Sequence, residues 1–231
     1  MTTILSAAMP TSTVEDYLKC IYLEQERTPG LLVPTGQIAA ALQITPGTAT
    51  AMVKTLADSG LVTHEPYAGV SLTPAGAQLA KRVLRRHRLV ELFLVRVMGI
   101  NWSEVHSEAE VLEHAVSDRL IERMDEMLGR PEKDPHGDPI PTARGDVREV
   151  EDLTTLLDCT VDVPLVLVRV IDQRTEFLRL LERHGLTPGT QLTVTGRDGL
   201  AETVEVRPQS GETLRLGFRA ASTVLVEVLK E

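Results

Sequence analysis

Residues 35–76 leave this chain few ways to fold. TGQIAAAL at 35–42 is a short apolar helix, residues 43–46 form a turn ending in Pro46, and TATAMVKTLADS at 48–59 is a second helix stopped by Gly60. Proline costs little at a helix start, where its missing N–H would be unpaired anyway, and glycine most easily takes the left-handed conformation just past a helix end. LVTHEP and VSLTPAG then flank the turn YAG, two short runs with β-branched residues around a glycine that read as a hairpin. Helix, turn, helix, hairpin is the winged-helix order. Upstream, Val14, Tyr17, Leu18, Ile21 and Tyr22 recur at helical spacing between Thr13 and Glu26, with Thr11, Ser12 or Thr13 as the N-cap.

Beyond the hairpin the spacing predicts a long helix from Pro74 to Val97, a break at GINW, and a helix from about Ser107 to Leu128. Residues 130–148 (RPEKDPHGDPIPTARGDVR within that stretch) are rich in Pro, Gly and charge and read as a linker. The remainder changes character: a strand at 163–171, a short helix at 174–184, then strand runs at 185–199, 202–208, 212–218 and 222–230 separated by Gly and Pro turns, which predicts a small β-barrel. The expected fold is mainly α with a small β domain, divided at 1–74, 75–148 and 149–231, and 231 residues suffice for such a set of compact bodies. No apolar run approaches a membrane span, and MTTILSAAMPTSTVED lacks the charged-then-apolar pattern of a signal peptide, so the expectation is a cytoplasmic protein with no membrane partner. Cys20 and Cys159 lack CxxC spacing and support neither a disulfide framework nor a thiolate zinc site.

A formal charge of -9 argues against nucleic acid at first sight, because lysine and arginine contacts to phosphate supply most DNA affinity. Distribution matters more. Lys81, Arg82, Arg85, Arg86 and Arg88 crowd one segment, and Glu104, Glu108, Glu110, Glu113, Asp118, Glu122, Asp125 and Glu126 crowd the next. Each run suits a solvated helix face, and an acidic cluster beside a basic one also suits a cation site coupled to a DNA-facing surface. Thr45, Thr48, Thr50 and Ala51 stand at the start of the second helix of the helix-turn-helix, with Lys54 a turn further on. Threonine can hydrogen-bond a base edge or touch a thymine methyl, and lysine can reach guanine or phosphate. The same segment would serve as a surface helix of a structural three-helix domain; the wing and the basic Lys81, Arg82, Arg85 and Arg86 tip the balance toward DNA, one or two of them contacting phosphate.

SEAEVLEHAVSD carries the strongest chemical signal. Glu110, Glu113 and His114 stand at i, i+3 and i+4 and project from one helix face. His87 and Glu91, at i and i+4, lie on the preceding helix, and His106 lies at the break. Singly, each glutamate is an ordinary solvated residue and each histidine an ordinary hydrogen-bonded one. Packed together without a cation, the carboxylates would repel each other, and a bound dication would relieve that cost.

Taken in order, VEDYLKCIYLEQE, ITPGTATAMVKTLADSGLV, SLTPAGAQLAKRVLRRHRLVELFL, VHSEAEVLEHAVSD and PHGDPIP make the chain resemble the diphtheria toxin repressor and manganese transport regulator family of metal-dependent transcriptional repressors. The resemblance covers almost the whole chain. It implies a winged helix-turn-helix, a helical metal-binding and dimerisation domain, and a C-terminal SH3-like barrel; a homodimer whose interface is the apolar stripe Val111, Ala115, Leu120, Ile121, Met124 and Leu128; and an inverted-repeat operator in double-stranded DNA. It places Asp16, His87, Glu110, Glu113 and His114 as ligands of a principal site. A second site would draw on His87 or Glu91, His106, Asp134, His136 and, from the third domain, Asp172. Asp16 and Glu110 stand where the iron-sensing branch carries methionine and cysteine, which hardens the site toward Mn2+ over Fe2+. Lys19 stands where the shortest manganese-type members carry a glutamate, which puts a two-metal cluster of that kind in doubt, and Cys20 is read as a buried free thiol. A cation held by Asp16 and the helical-domain ligands would fix the DNA-binding domain relative to the dimer domain. For the barrel, Phe177 and Phe218 are the only aromatics after the linker, too few for a polyproline groove, so a regulatory or ligand-completing role is expected.

Two other functions fit the residues less well. A metallohydrolase would need a general base beyond the ligands, and the chain carries no HExxH. A DNA-binding regulator whose cluster only stabilises a dimer would answer to a different effector.

Overall fold

The structure, a computed structural model, describes residues 11–148 and 152–229. The N-terminal segment through Pro10, residues 149–151 where the last domain boundary is expected, and the end of the final strand run lie outside the described residues. The chain falls into two compact units, one of Met1–Arg85 with Ala143–Gly145 and one of Arg86–Thr142 with Asp146–Glu231.

In the first unit, α1 (Ser12–Arg27) is capped by Thr11, whose hydroxyl accepts from the Val14 N–H. α2 (Thr35–Ala41) and α3 (Pro46–Asp58) follow, and Pro46 occupies the first turn of α3 while Thr45 caps it. α3 therefore starts two residues earlier than expected, because Thr45 supplies the cap. Gly60 takes φ +70 just past the helix, where a side chain would be strained. β1 (Val62–Glu65) and β2 (Gly69–Leu72) pair antiparallel as the wing, and Val33 adds a bridge to Val70. Leu18, Ile21, Ile38, Val53, Leu56 and Val70 form a dry core beneath these elements. Cys20 belongs to it; burial, with the Glu24 carboxylate nearby, pushes its thiol up to about 11, as a buried free thiol requires.

α4 (Pro74–Arg96) begins in the first unit and ends in the second. The expected single helix from Ser107 to Leu128 is instead α5 (Val105–Leu112) and α6 (Asp118–Met127). Ser117 breaks it, with extended backbone and a hydroxyl that accepts from the Leu120 N–H to start α6. The Glu113 N–H still donates to Ala109 O, so helical spacing persists through Glu113. The apolar stripe divides in consequence: Ile121, Met124 and Leu128 pack into a core with Leu89, Leu92 and Val105, whereas Val111 is 72% exposed, Leu120 53%, and Ala115 is exposed as well.

The C-terminal part is an antiparallel sheet of six strands: β3 (Thr154–Thr155), β4 (Leu165–Val170), β5 (Gln191–Asp198), β6 (Thr203–Pro208), β7 (Leu214–Gly217) and β8 (Val224–Val228), in the order β3-β8-β4-β5-β6-β7. α7 (Thr175–Arg183) and the short α8 (Phe218–Ala221) accompany it; β3 and α8 have no counterpart in the sequence expectation, being too short to show a period. The alternation of β4 slips at Val168, where a bulge leaves Leu167 and Val168 both buried. Phe177 is buried and Phe218 packs against the same core, so neither offers an open aromatic surface.

Candidate metal centre

α4 presents His87 and Glu91 one turn apart, both buried, with Glu91 fully so. His87 Nε2 lies 2.9 Å from Glu91 Oε1 and 3.1 Å from His106 Nδ1, and His106 Nδ1 lies 3.1 Å from the same Glu91 oxygen. The other His87 nitrogen, Nδ1, is 2.6 Å from Glu113 Oε2 and 3.6 Å from Glu110 Oε1. His106 Nε2 approaches Glu110 Oε1 at 3.5 Å, and Glu113 Oε1 approaches His114 Nε2 at 3.3 Å. Imidazoles and carboxylates thus alternate from His114 through Glu113, His87 and Glu91. His87, His106 and Glu110 bring one donor atom each within 4.8 Å of one another.

A second donor group, Glu91, Asp134 and His136, is entirely buried and equally compact. Its loop is a tight turn. Asp134 Oδ1 accepts from the backbone N–H groups of His136, at 2.8 Å, and Asp138, at 2.9 Å. His136 Nε2 lies 2.8 Å from Trp102 O, a bond that puts a proton on Nε2 and aims Nδ1 inward, where loss of its proton would free a ligand lone pair. Glu91 Oε2, Asp134 Oδ2 and His136 Nδ1 are each buried without a hydrogen-bond partner. Orphaned polar atoms in a dry interior cost about 1–3 kcal/mol each, and here three of them are ligand atoms of one group.

The electrostatics point the same way. Burial pushes the Asp134 carboxyl up to about 8, with the carboxylates of Asp138 and Glu91 adding to the rise. Burial opposes charge on His136, but the Glu91 carboxylate, 3.7 Å from its Nδ1, and the charge of Asp134 win and raise it to about 9. Glu91 is also disfavoured by burial, yet the charge of His87, the bonds from His106 and His87, and the nearby His136 imidazole hold it well below the usual carboxylate range. Protons here do the work a dication would do, balancing crowded carboxylates. The set is oxygen and imidazole throughout, which fits a hard divalent cation.

The remaining expected residues are placed as follows. Asp16 is half-buried on α1 of the first unit. Asp172 belongs to neither donor group of the second unit; its carboxylate is taken by the Arg174 side chain, at 2.6 to 3.0 Å, and by the Arg174 N–H. On α3, Thr45, Thr48, Ala51 and Lys54 are exposed and Thr50 is half-buried. The Thr45 hydroxyl is committed to the cap, accepting from the Thr48 N–H, and the Thr50 hydroxyl donates to Pro46 O.

The basic residues of α4 differ in exposure. Arg85, Arg86 and Arg88 are buried. Arg86 pairs with Asp118 at 2.7 Å, and Arg88 donates to Pro139 O and faces Asp134 and Asp138. Arg82 is exposed, and the Lys81 ammonium lies over the Tyr22 ring. Trp102, Arg88 and Asp138 support the loop and escaped the sequence, since a backbone acceptor and a buried arginine leave no spacing signal.

Residues 9–70 match the family described as iron dependent repressor, N-terminal DNA binding domain; residues 73–142 match its metal binding and dimerisation domain; residues 154–228 match the FeoA domain. The iron-dependent repressor IdeR of Mycobacterium tuberculosis is 31% identical over 227 residues, covering 93% of this chain and 96% of that protein. The HTH-type transcriptional regulator MntR of Lysinibacillus sphaericus is 35% identical over 132 residues, 55% of this chain and 89% of its own length. A manganese-dependent transcriptional repressor solved in complex with manganese superposes with a TM-score of 0.86 at 40% identity, covering 94% of this chain and all, 100%, of the other. These relatives are transcriptional regulators and not enzymes, which removes the hydrolase alternative.

Proposed function

The chain belongs to the iron-dependent repressor family of metal-dependent, DNA-binding transcriptional repressors, and from that premise we propose that Mn2+ is its physiological effector, with Fe2+ the alternative metal. The observation that carries the metal reading is the set of orphaned, buried ligand atoms Glu91 Oε2, Asp134 Oδ2 and His136 Nδ1. Those residues would hold one cation; His87, His106 and Glu110, with Glu113 and His114 adjoining, would serve a second, and Asp16 joins that ligand set on the sequence resemblance. A bound dication supplies positive charge that stabilises the crowded carboxylates in their ionised form. His136 is held in tautomer by Trp102 O, and Glu91 presents one oxygen toward each imidazole cluster. Hard oxygen and imidazole donors favour Mn2+, and the manganese-bound relative supports the choice.

On the DNA side, Thr48, Thr50, Ala51 and Lys54 are the proposed base-reading and phosphate-reaching residues, with Thr45 fixing the start of the helix. The homodimer, an inverted-repeat operator and a cytoplasmic setting belong to the same proposal, and exposed Val111, Leu120 and Met127 supply apolar surface for the partner. Division at 74–75 and 148–149 into three functional domains is likewise proposed. No described helix is long and apolar enough to cross a membrane.

The test is anaerobic DNA binding with DNA selected from a random pool by the Mn2+-loaded protein. Affinity falls steeply on chelation, and Glu113→Ala or His114→Ala abolishes the metal dependence while sedimentation still reports a dimer. Equal affinity for apo and loaded protein would overturn the proposal.

A further inference from the structure

The loop that carries Asp134 and His136 is fastened to β4 of the sheet at three points. The Val170 N–H donates to His136 O at 2.9 Å. Gly137, at φ +89, lies so close to the strand that a Cβ would stand 2.0 Å from Val168 O, at the bulge. Asp138 is ion-paired with Arg169 and accepts from Gln173 Nε2 at 2.7 Å. On its other side the loop is tied to the helices through His136 to Trp102 O and Arg88 to Pro139 O. Because Asp134 Oδ1 is spent on the turn itself, the aim of Oδ2 follows the loop as a body.

We propose that β4 sets the metal affinity of the Glu91, Asp134 and His136 group by seating the loop that carries two of its ligands, with Gly137 and Arg169 as positioning residues. The inference rests on the metal reading above and concerns the seating of the loop, whether or not Asp172, whose carboxylate contacts Arg174, also joins the ligand set. A cation binds well only where its donors already stand at the correct separations, and the residues that orient those donors commonly govern affinity by 10–100-fold. Coupling of this kind is reciprocal: if the sheet raises metal affinity, the metal stabilises the seating of the loop on β4 by the same factor.

Removing Arg169 alone would also make the site more negative and draw a cation in, so the variants must separate position from charge. Gly137→Ala changes no charge and pushes the loop off Val168. The double change Asp138→Asn with Arg169→Gln removes one charge of each sign and loosens the third anchor. In full-length protein, Mn2+ titrations followed by electron paramagnetic resonance give the affinity at each class of site, with His136→Ala identifying this one by its loss. Both variants are expected to bind Mn2+ about 10–100-fold more weakly here, with the His87, His106 and Glu110 site unchanged as proof of folding. Hydrogen exchange at the Val170 amide should slow on adding Mn2+ in wild type and respond less in the variants. If Gly137→Ala does not fold, the double variant carries the test. Wild-type affinity at this site in the folded variants overturns the inference; equal Mn2+ uptake by wild type and His136→Ala overturns instead the metal reading beneath it.

Discussion

Glu91→Gln is the most informative single change, because one fully buried carboxylate faces both imidazole clusters, with Oε1 at 2.9 Å from His87 and Oε2 at 3.7 Å from His136. Glutamine keeps the size and one oxygen but has no charge, and its amide nitrogen offers no lone pair to a metal. In the metal-free protein the change has opposing effects, losing attraction to His87 and relieving repulsion with Asp134. Comparing each protein with its own metal-free state cancels them. A ligand present at 100 times its Kd stabilises the folded state by about 2.7 kcal/mol. At about 2–4 °C per kcal/mol for a chain of this size, Mn2+ should raise the wild-type melting temperature by about 5–11 °C. Differential scanning calorimetry with and without Mn2+ measures both proteins, and Glu91→Gln should lose most of that shift. If the variant keeps the full wild-type shift, Glu91 is a buried structural charge and the orphaned oxygen has some other explanation.

Thr48→Ala should cost about 1–3 kcal/mol on the selected DNA and little on random DNA, while Arg82→Ala should weaken both alike, as competition binding on the two DNAs will report. Arg86→Ala should lower stability by about 1 kcal/mol through loss of the Asp118 pair and leave DNA affinity unchanged, separable by denaturant unfolding and by binding. Asp172→Ala should leave Mn2+ stoichiometry as in wild type, because Arg174 already holds that carboxylate. Asp134 and His136 titrate at about 8 and about 9, above their ordinary values of 3.8 and 6.5, so both carry protons at neutral pH in the metal-free protein. Ligation must displace them: Mn2+ binding should release protons, and affinity should climb as pH rises through 8 to 9, which calorimetry in buffers of different ionisation enthalpy will measure. Metal-free stability should move oppositely, falling as pH rises from 3.8 to about 8 through Asp134 and from 6.5 to about 9 through His136, the span between each unfolded and folded value.

What the sequence determined by itself is what short-range physics controls. Thr11, Pro46 and Gly60 mark helix ends because caps act on backbone groups within a few residues, and His87 with Glu91 share a face because the helical period is local. Winged helix, helical pair and sheet follow from the same periods, and the family motifs follow from their order along the chain. Contacts between residues far apart in the chain decided the rest. Arg86 and Arg88 read as solvent-facing charge, yet Asp118, Asp134, Asp138 and Pro139 turn them into buried anchors. Gly137 reads as a linker glycine, and only the carbonyl of Val168 shows why no side chain fits there. Asp172 reads as a third-domain candidate ligand, and only the fold shows Arg174 against its carboxylate. A charged or small residue states what it can do, but whether water, a counter-ion or a passing backbone meets it depends on packing, and packing is set by the whole fold.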